Sequence, residues 1–270
     1  MNRNARHSKS WSKWSSSNQQ AYQKARQRRE RRQLFVESLE DRRLLATFAT
    51  SGSDLALNLN TSGEALASVA GASNYTLTLT GGTWSGTDSG DVTGNGTATL
   101  TVTKDVFDSL IVTDSAAGTN VTLNDSGANA YTDSFQITLD SAPAVPALTV
   151  NGSSSFGAND LTADVGTSIR VESGANLSTV DGDISLSANT AGTATGDFVG
   201  VRVGAGTVQS TGAGAITVSG HGSGNSALRF GVEVSFGGQI LGGTGYVTVR
   251  GTGSEGTTSF SHGVYVTNAN

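Results

Sequence analysis

The residues able to do acid–base or metal chemistry are few and scattered. The 270-residue chain has no Cys and 3 His, which rules out a disulfide framework, a thiolate metal ligand and a Cys nucleophile. His221 and His262 lie in the body of the chain, 41 residues apart, at different positions of the repeat described below. His262 falls where Phe198 and Phe230 fall in earlier copies, so an aromatic corner ladder is expected there. Acids are the next candidates. Asp88, Asp91 and Asn95 lack the spacing of an EF-hand loop, and the nonapeptide signature GGxGxDxUx is absent. Asp181 and Asp183 flank Gly182 in a turn, where Asp is expected to bond back to nearby backbone. No cofactor is therefore expected, with calcium the one ion such acids could hold. A glycosidase needs paired carboxylates, and a lyase usually needs a basic residue to take or stabilise the proton. The body offers Lys104 and Arg170, Arg202, Arg229 and Arg250, with no cluster of acids in the repeated segments. Arg170 and Arg202 are repeat equivalents, which places both on one outward face. Nothing matches a GxSxG elbow, a P-loop or a nucleotide fingerprint.

The elements that must carry these residues are short strands repeated at a fixed period. GDISLSA begins at Gly182, GAITVSG at Gly214 and GYVTVRG at Gly245, at steps of 32 and 31 residues. GVRV, GVEV and GVYV follow from Gly200, Gly231 and Gly263 at nearly the same step, and a third apolar position comes at Val208 and Ile240. Such a period marks a stacked repeat. Successive coils should stack Ile184 on Ile216 on Val247, Leu186 on Val218 on Val249, and Val201 on Val232 on Val264. Gly200, Gly231 and Gly263 are expected to supply the backbone freedom that the bends require. Ile169 to Val171 stand one step before Val201 to Val203, and ALTVNG from Ala147 is read as the first strand of that earliest coil. The expectation for 147–270 is a three-sided, right-handed parallel β-helix, or β-solenoid, of almost four coils. A β-sandwich would also show short alternating strands, but it does not explain the period. The loops between first and second strands differ from copy to copy and could line a binding face. The repeat stops at Asn270 in mid-coil, which predicts a truncated array and self-association through an open C-terminal edge.

Composition agrees with an all-β body. Charged residues make up 14% of the chain, Gly 36 residues and Pro 2, and the Gly and Ser are interleaved with Val, Ile and Leu at period two. In 47–146 the runs DLALNLN, YTLTLTG, TATLTVT, SLIVTD, NVTLND and FQITLD alternate in the same way, without a clear period. This region is read as an irregular β-strand segment, either an early part of the solenoid or a small sheet domain. Pro143 and Pro146 mark the boundary after it.

Residues 1–46 differ in kind, with 12 Lys or Arg against 4 acids, whereas 47–270 carry 5 basic residues and 18 acids. The acidic body argues against nucleic acid as its partner. Residues 1–17 are predicted to be disordered and 18–46 helical, being rich in helix formers and free of Gly and Pro. No apolar run is long enough for a signal-peptide core or a membrane span. The phrase LFVESLEDRRLLA, from Leu34 to Ala46, resembles the LEPR-XLL motif of large, repetitive exported proteins of planctomycete bacteria. Leu39, Glu40, Arg42, Leu44 and Leu45 match it, and Asp41 stands where the motif has Pro. The resemblance implies a sorting segment and an extracellular or cell-surface location. With the repeats, which resemble those of filamentous haemagglutinin-like adhesins, the expected function is non-catalytic: an adhesin-like or structural surface or matrix protein. Its expected partners are surface glycans or other cell-surface proteins. The alternatives are a carbohydrate-active β-helix enzyme and an inert spacer within a longer surface protein.

Overall fold

Strands begin where the alternating pattern begins. The computed structural model describes residues 45–141, 145–225, 227–255 and 260–268. The basic segment expected to be disordered and then helical, with Leu39, Glu40, Arg42 and Leu44, lies outside them. The described residues are all β, mostly in parallel sheets, without a helix or a closed barrel.

The strands, in order, wind around one apolar core. β1 (Ala46–Ser51) leads into a first turn of β2 (Asp54–Leu59) and β3 (Ala65–Ala70). An excursion follows: β4 (Asn74–Thr80), β5 (Trp84–Ser85), β6 (Val92–Thr93) and β7 (Thr99–Thr103). The second turn is β8 (Ser109–Asp114) and β9 (Asn120–Leu123), and the third is β10 (Ser134–Leu139), β11 (Leu148–Val150) and β12 (Ser153–Ser155). Then come β13 (Leu161–Val165), β14 (Ile169–Val171) and β15 (Asn176–Thr179), and a fifth turn of β16 (Ile184–Ala188), β17 (Val201–Gly204) and β18 (Thr207–Ser210). The sixth is β19 (Ile216–His221), β20 (Val232–Ser235) and β21 (Gln239–Leu241), and the seventh is β22 (Val247–Thr252) and β23 (Val264–Thr267). Sheet A takes the first strand of each turn, sheet B the second, and sheet C the third where there is one.

Period-two patterning explains why the turns stack in register. In β16 Ile184, Leu186 and Ala188 are buried while Ser185 and Ser187 are half-exposed, so a slip of one residue would turn the apolar set outward. The strands of the turns, three to six residues long, are not stable alone, and they are completed by their equivalents in neighbouring turns. The ladders Ile184–Ile216–Val247, Leu186–Val218–Val249 and Val201–Val232–Val264 all form.

Two details of the sequence reading are corrected. ALTVNG is not a first strand: Leu148–Val150 pairs with Ile169–Val171 in sheet B, and the first strand of that turn is Leu161–Val165. The 31–32 period hid it, because the step shrinks there. Phe135 to Leu161 is 26 residues and Leu161 to Ile184 is 23, against 32 from Ile184 to Ile216. Gly200, Gly231 and Gly263, moreover, are not the left-handed bend residues. They are needed because a neighbouring backbone passes too close for a Cβ, which on Gly231 would lie 2.3 Å from the Thr252 nitrogen. The left-handed corner between sheets B and C falls on Gly174, Ala205, Phe236 and Asn268, at φ of 76°, 56°, 57° and 45°.

Pro143 and Pro146 fall in the connection from β10 to β11, and the ladders continue past them: β8–β10–β13 in sheet A and β9–β11–β14 in sheet B. Strands run antiparallel at the N-terminal end. β1 lies against β2 there, and β4 and β7 extend sheet B beyond β3. The outermost strands, β5 and β6, are two residues each. Trp84 is fully buried in this closure, and its indole N–H donates to the Leu77 carbonyl at 3.2 Å.

Candidate functional site

Most of the candidate residues serve the stack itself. Asp183 Oδ1 accepts the Ala215 N–H at 2.8 Å and Asp181 Oδ1 the Ala213 N–H at 3.0 Å. Asp160 Oδ1 takes the Asp183 N–H at 2.8 Å, one turn earlier. Asp181 and Asp183 were expected to bond back to nearby backbone, and instead each of the three carboxylates staples its corner to the corner above. Asp88 does act locally, accepting from Gly94 and Asn95 N–H at 3.1 and 2.9 Å. Arginine follows the same logic. Arg170 stands beside Arg202 in sheet B, and Arg202 Nε lies 3.5 Å from Glu233 Oε2, its neighbour in register. Arg229 Nε reaches Asp197 Oδ1 at 3.9 Å. Both ion pairs link adjacent turns, and at such exposure pairs of this kind contribute at most about 1 kcal/mol.

The histidines are kept apart. His262 stacks on Phe230 with ring centroids 6.0 Å apart, and Tyr265 stacks on Phe230 at 4.3 Å, so the corner ladder is aromatic. The His221 carbonyl accepts from Asn189 Nδ2 at 3.1 Å, one turn below. Among the described residues no group of three or more His, Asp or Glu is gathered to hold a metal ion. Of the sorting residues Leu45 alone is described, and its carbonyl accepts from Asn60 Nδ2 at 2.9 Å.

A polar knot that the sequence reading did not find ties the excursion to the second and third turns. The Tyr75 hydroxyl donates to Asp133 Oδ2 at 2.5 Å and accepts the Thr132 N–H at 2.8 Å. The Tyr131 hydroxyl lies 2.8 Å from Ser68 Oγ, and its ring stacks between Tyr75 and Phe156 at 5.3 and 4.5 Å. Asp125 accepts from the Ala70 N–H and from Ser154 Oγ. Lys104 Nζ donates to the Ala130 carbonyl and sits 5.3 Å from the Tyr75 ring centroid. Burial pushes the Tyr75 and Tyr131 hydroxyls and the Asp133 carboxyl up, and the Lys104 ammonium down. The only hint in the sequence was that Lys104 is the one Lys of the body. Enclosed as it is, the knot acts as a fastening.

An opening that a ligand could enter lies where the turns widen. Val165 in sheet A is followed almost at once by Ile169 in sheet B, whereas the later connections run from Ala188 to Val201, His221 to Val232 and Thr252 to Val264. Three long arms therefore follow short corners. The first arm is bonded to the second through Ser223 Oγ to the Ala194 carbonyl at 2.6 Å and the Asn225 N–H to Asp197 Oδ1 at 3.1 Å. Beneath it is a cavity of about 310 Å³ lined by Asp140, Val145, Gly166, Thr167 and Thr193 to Thr195. Asp114 Oδ1 fixes its floor by accepting the N–H groups of Asp140 and Ser141 at 2.9 and 3.1 Å. Asp164 nearby has its carboxyl raised by burial and, secondarily, by the charge of Asp140. The lining offers one carboxylate and several threonines beside one apolar wall, a set suited to accepting hydrogen bonds from hydroxyl groups. No family model, curated protein or solved structure matches this chain.

Proposed function

We propose that this chain is an exported, non-catalytic surface or matrix protein of adhesin-like character, built on a right-handed β-solenoid and binding surface glycans beneath its arms. The observation that carries the reading is the step from the short corner after Val165 to the long arms that follow, the first bonded to the second, with a hydroxyl- and carboxylate-lined cavity at the step. Right-handed winding follows from the strong rule for parallel crossover connections, obeyed in about 98% of cases. The acidic body, with 18 acids against 5 basic residues, favours neutral glycans over anionic ones and opposes nucleic acid. The LEPR-XLL-like phrase supports export.

A glycan array probed with the purified chain tests the reading. Binding to neutral glycans is expected, and it should fall at least about tenfold in a Thr193→Val/Thr195→Val variant, which removes two hydroxyls without disturbing a strand. Unchanged binding in that variant would move the site elsewhere. Polysaccharide turnover that disappears in Asp140→Asn would replace the adhesin reading with the carbohydrate-active one.

A further inference from the structure

We infer that Leu228 and Phe260 form an apolar track up the arms along which a bound glycan lies, so that the ligand is an oligosaccharide spanning several arms and not a single sugar. The inference rests on the glycan-binding reading above and carries it from the cavity to the second and third arms. It starts from a pair of backbone outliers at one position of the repeat. Leu228 and Phe260 each stand four residues before the register partners Val232 and Val264. Both are left-handed, at φ of 66° and 86°, and both are exposed, at 52% and 66%. A large apolar residue costs energy in that conformation and gains nothing from contact with water. Neither joins the apolar core, and among the described residues no ring or cation stacks on Phe260. The same costly combination on two successive turns marks a feature of the repeat. The exposure of Leu228 does not come from lying on the last turn, because the arm of the seventh turn stacks on its own. The Ser254 N–H donates to the Arg229 carbonyl at 3.0 Å, and the His262 ring lies on that of Phe230.

Contacts lead without a break from the cavity to this pair. Ala194, in the cavity lining, accepts from Ser223 Oγ of the second arm at 2.6 Å. Asp197, two residues past Thr195, lies 3.9 Å from Nε of Arg229, the neighbour of Leu228 in the chain. The Arg229 carbonyl in turn holds the third arm. Cavity, Leu228 and Phe260 thus belong to successive arms, and adjacent turns lie about 4.8 Å apart, close to the length of one sugar unit. The chemistry of the arms fits the same occupant. Each of the two offers one exposed large apolar side chain in a stretch otherwise rich in Gly, Ser and Thr, HGSGNSALRFG from His221 and TGSEGTTSFSHG from Thr252. A strip one side chain wide does not match the apolar face of a helix, which presents anchors at i, i+3, i+4 and i+7. A sugar ring carries C–H groups on its face and hydroxyls at its rim, the complement of an apolar side chain among hydrogen-bonding groups.

Two measurements on the full chain test the track. In the first, cello-, chito- and malto-oligosaccharides from monosaccharide to hexasaccharide are titrated by calorimetry. Affinity should rise with length up to the trisaccharide and then level off. Leu228→Ser/Phe260→Ser should weaken trisaccharide binding about tenfold or more and leave that of the shortest sugar unchanged, whereas Phe260→Trp should keep the longer ligand. Affinity independent of length, or a trisaccharide bound equally by the parent and Leu228→Ser/Phe260→Ser, would overturn the track and leave the cavity reading standing. Failure of the parent to bind any of the series would overturn both. The second measurement needs no ligand. Leu228→Gly and Phe260→Gly relieve the left-handed strain, so neither should lower the melting temperature. A fall as large as that of a core substitution would assign these side chains to the fold and overturn the inference.

Discussion

Single side chains in this protein work between turns more than within them. Asp183 illustrates it, since its carboxylate takes a backbone N–H 32 positions on. Asp183→Ala should therefore cost about 1 kcal/mol, while Asp183→Asn keeps an acceptor and should cost less. Urea denaturation of the two variants checks this, and equal losses would mean that the bond contributes nothing. Asp133 behaves oppositely, because burial raises its carboxyl above the ordinary carboxylate range. The folded state then holds that proton more tightly than the unfolded state does. The stability this group contributes is complete below the unfolded-state value and is lost as pH rises through the raised folded-state value. Asn in its place carries no charge and can still accept from Tyr75. The stability of Asp133→Asn relative to the parent should thus improve as pH is raised from about 4 to 7. A difference independent of pH would contradict the direction given for Asp133.

At the scale of elements, the alternation of apolar and polar residues decides which face is inside. Val218 is fully buried between Leu186 and Val249, so Val218→Asp should prevent stable folding, whereas Thr217→Asp on the outer face should shift the melting temperature only slightly. Similar protease resistance in both would show the face to be misassigned. Gly220 makes a complementary case. A Cβ there would stand 2.1 Å from the Gly231 carbonyl oxygen, so Gly220→Ala should destabilise by about 1–3 kcal/mol. The strands and their register from Ile184 onward were legible because both the period and the alternation are written plainly there. Leu161–Val165 was missed because its turn lacks an arm, and β1 and β3 because Ala and Ser dilute their alternation. The polar knot and the cavity were not legible. Each gathers residues from turns that a one-dimensional reading leaves far apart, such as Tyr75 with Asp133 and Asp140 with Thr193.

At the scale of the whole molecule, the account rests on seven turns stacked through parallel ladders, with N-terminal strands folded back across one end. The described strands begin at Ala46, and removing residues 1–43 should leave the β spectrum and thermal unfolding of the remainder unchanged. The most direct test of the stack is a ladder of distances. Ala56, Ile111, Gln136, Thr162, Ser185, Thr217 and Thr248 are successive partners on the outer face of sheet A. Neighbouring strands lie about 4.8 Å apart, so backbone separations along this series should grow by that amount per turn however many residues intervene. Spin labels on cysteines placed in pairs, read by pulsed electron paramagnetic resonance, should thus report about 19 Å for Gln136 with Thr248 and about 29 Å for Ala56 with Thr248, within the reach of the label. Separations that fail to increase with turn number, or that bring Ala56 as close to Thr248 as Gln136 is, would contradict the stacked architecture.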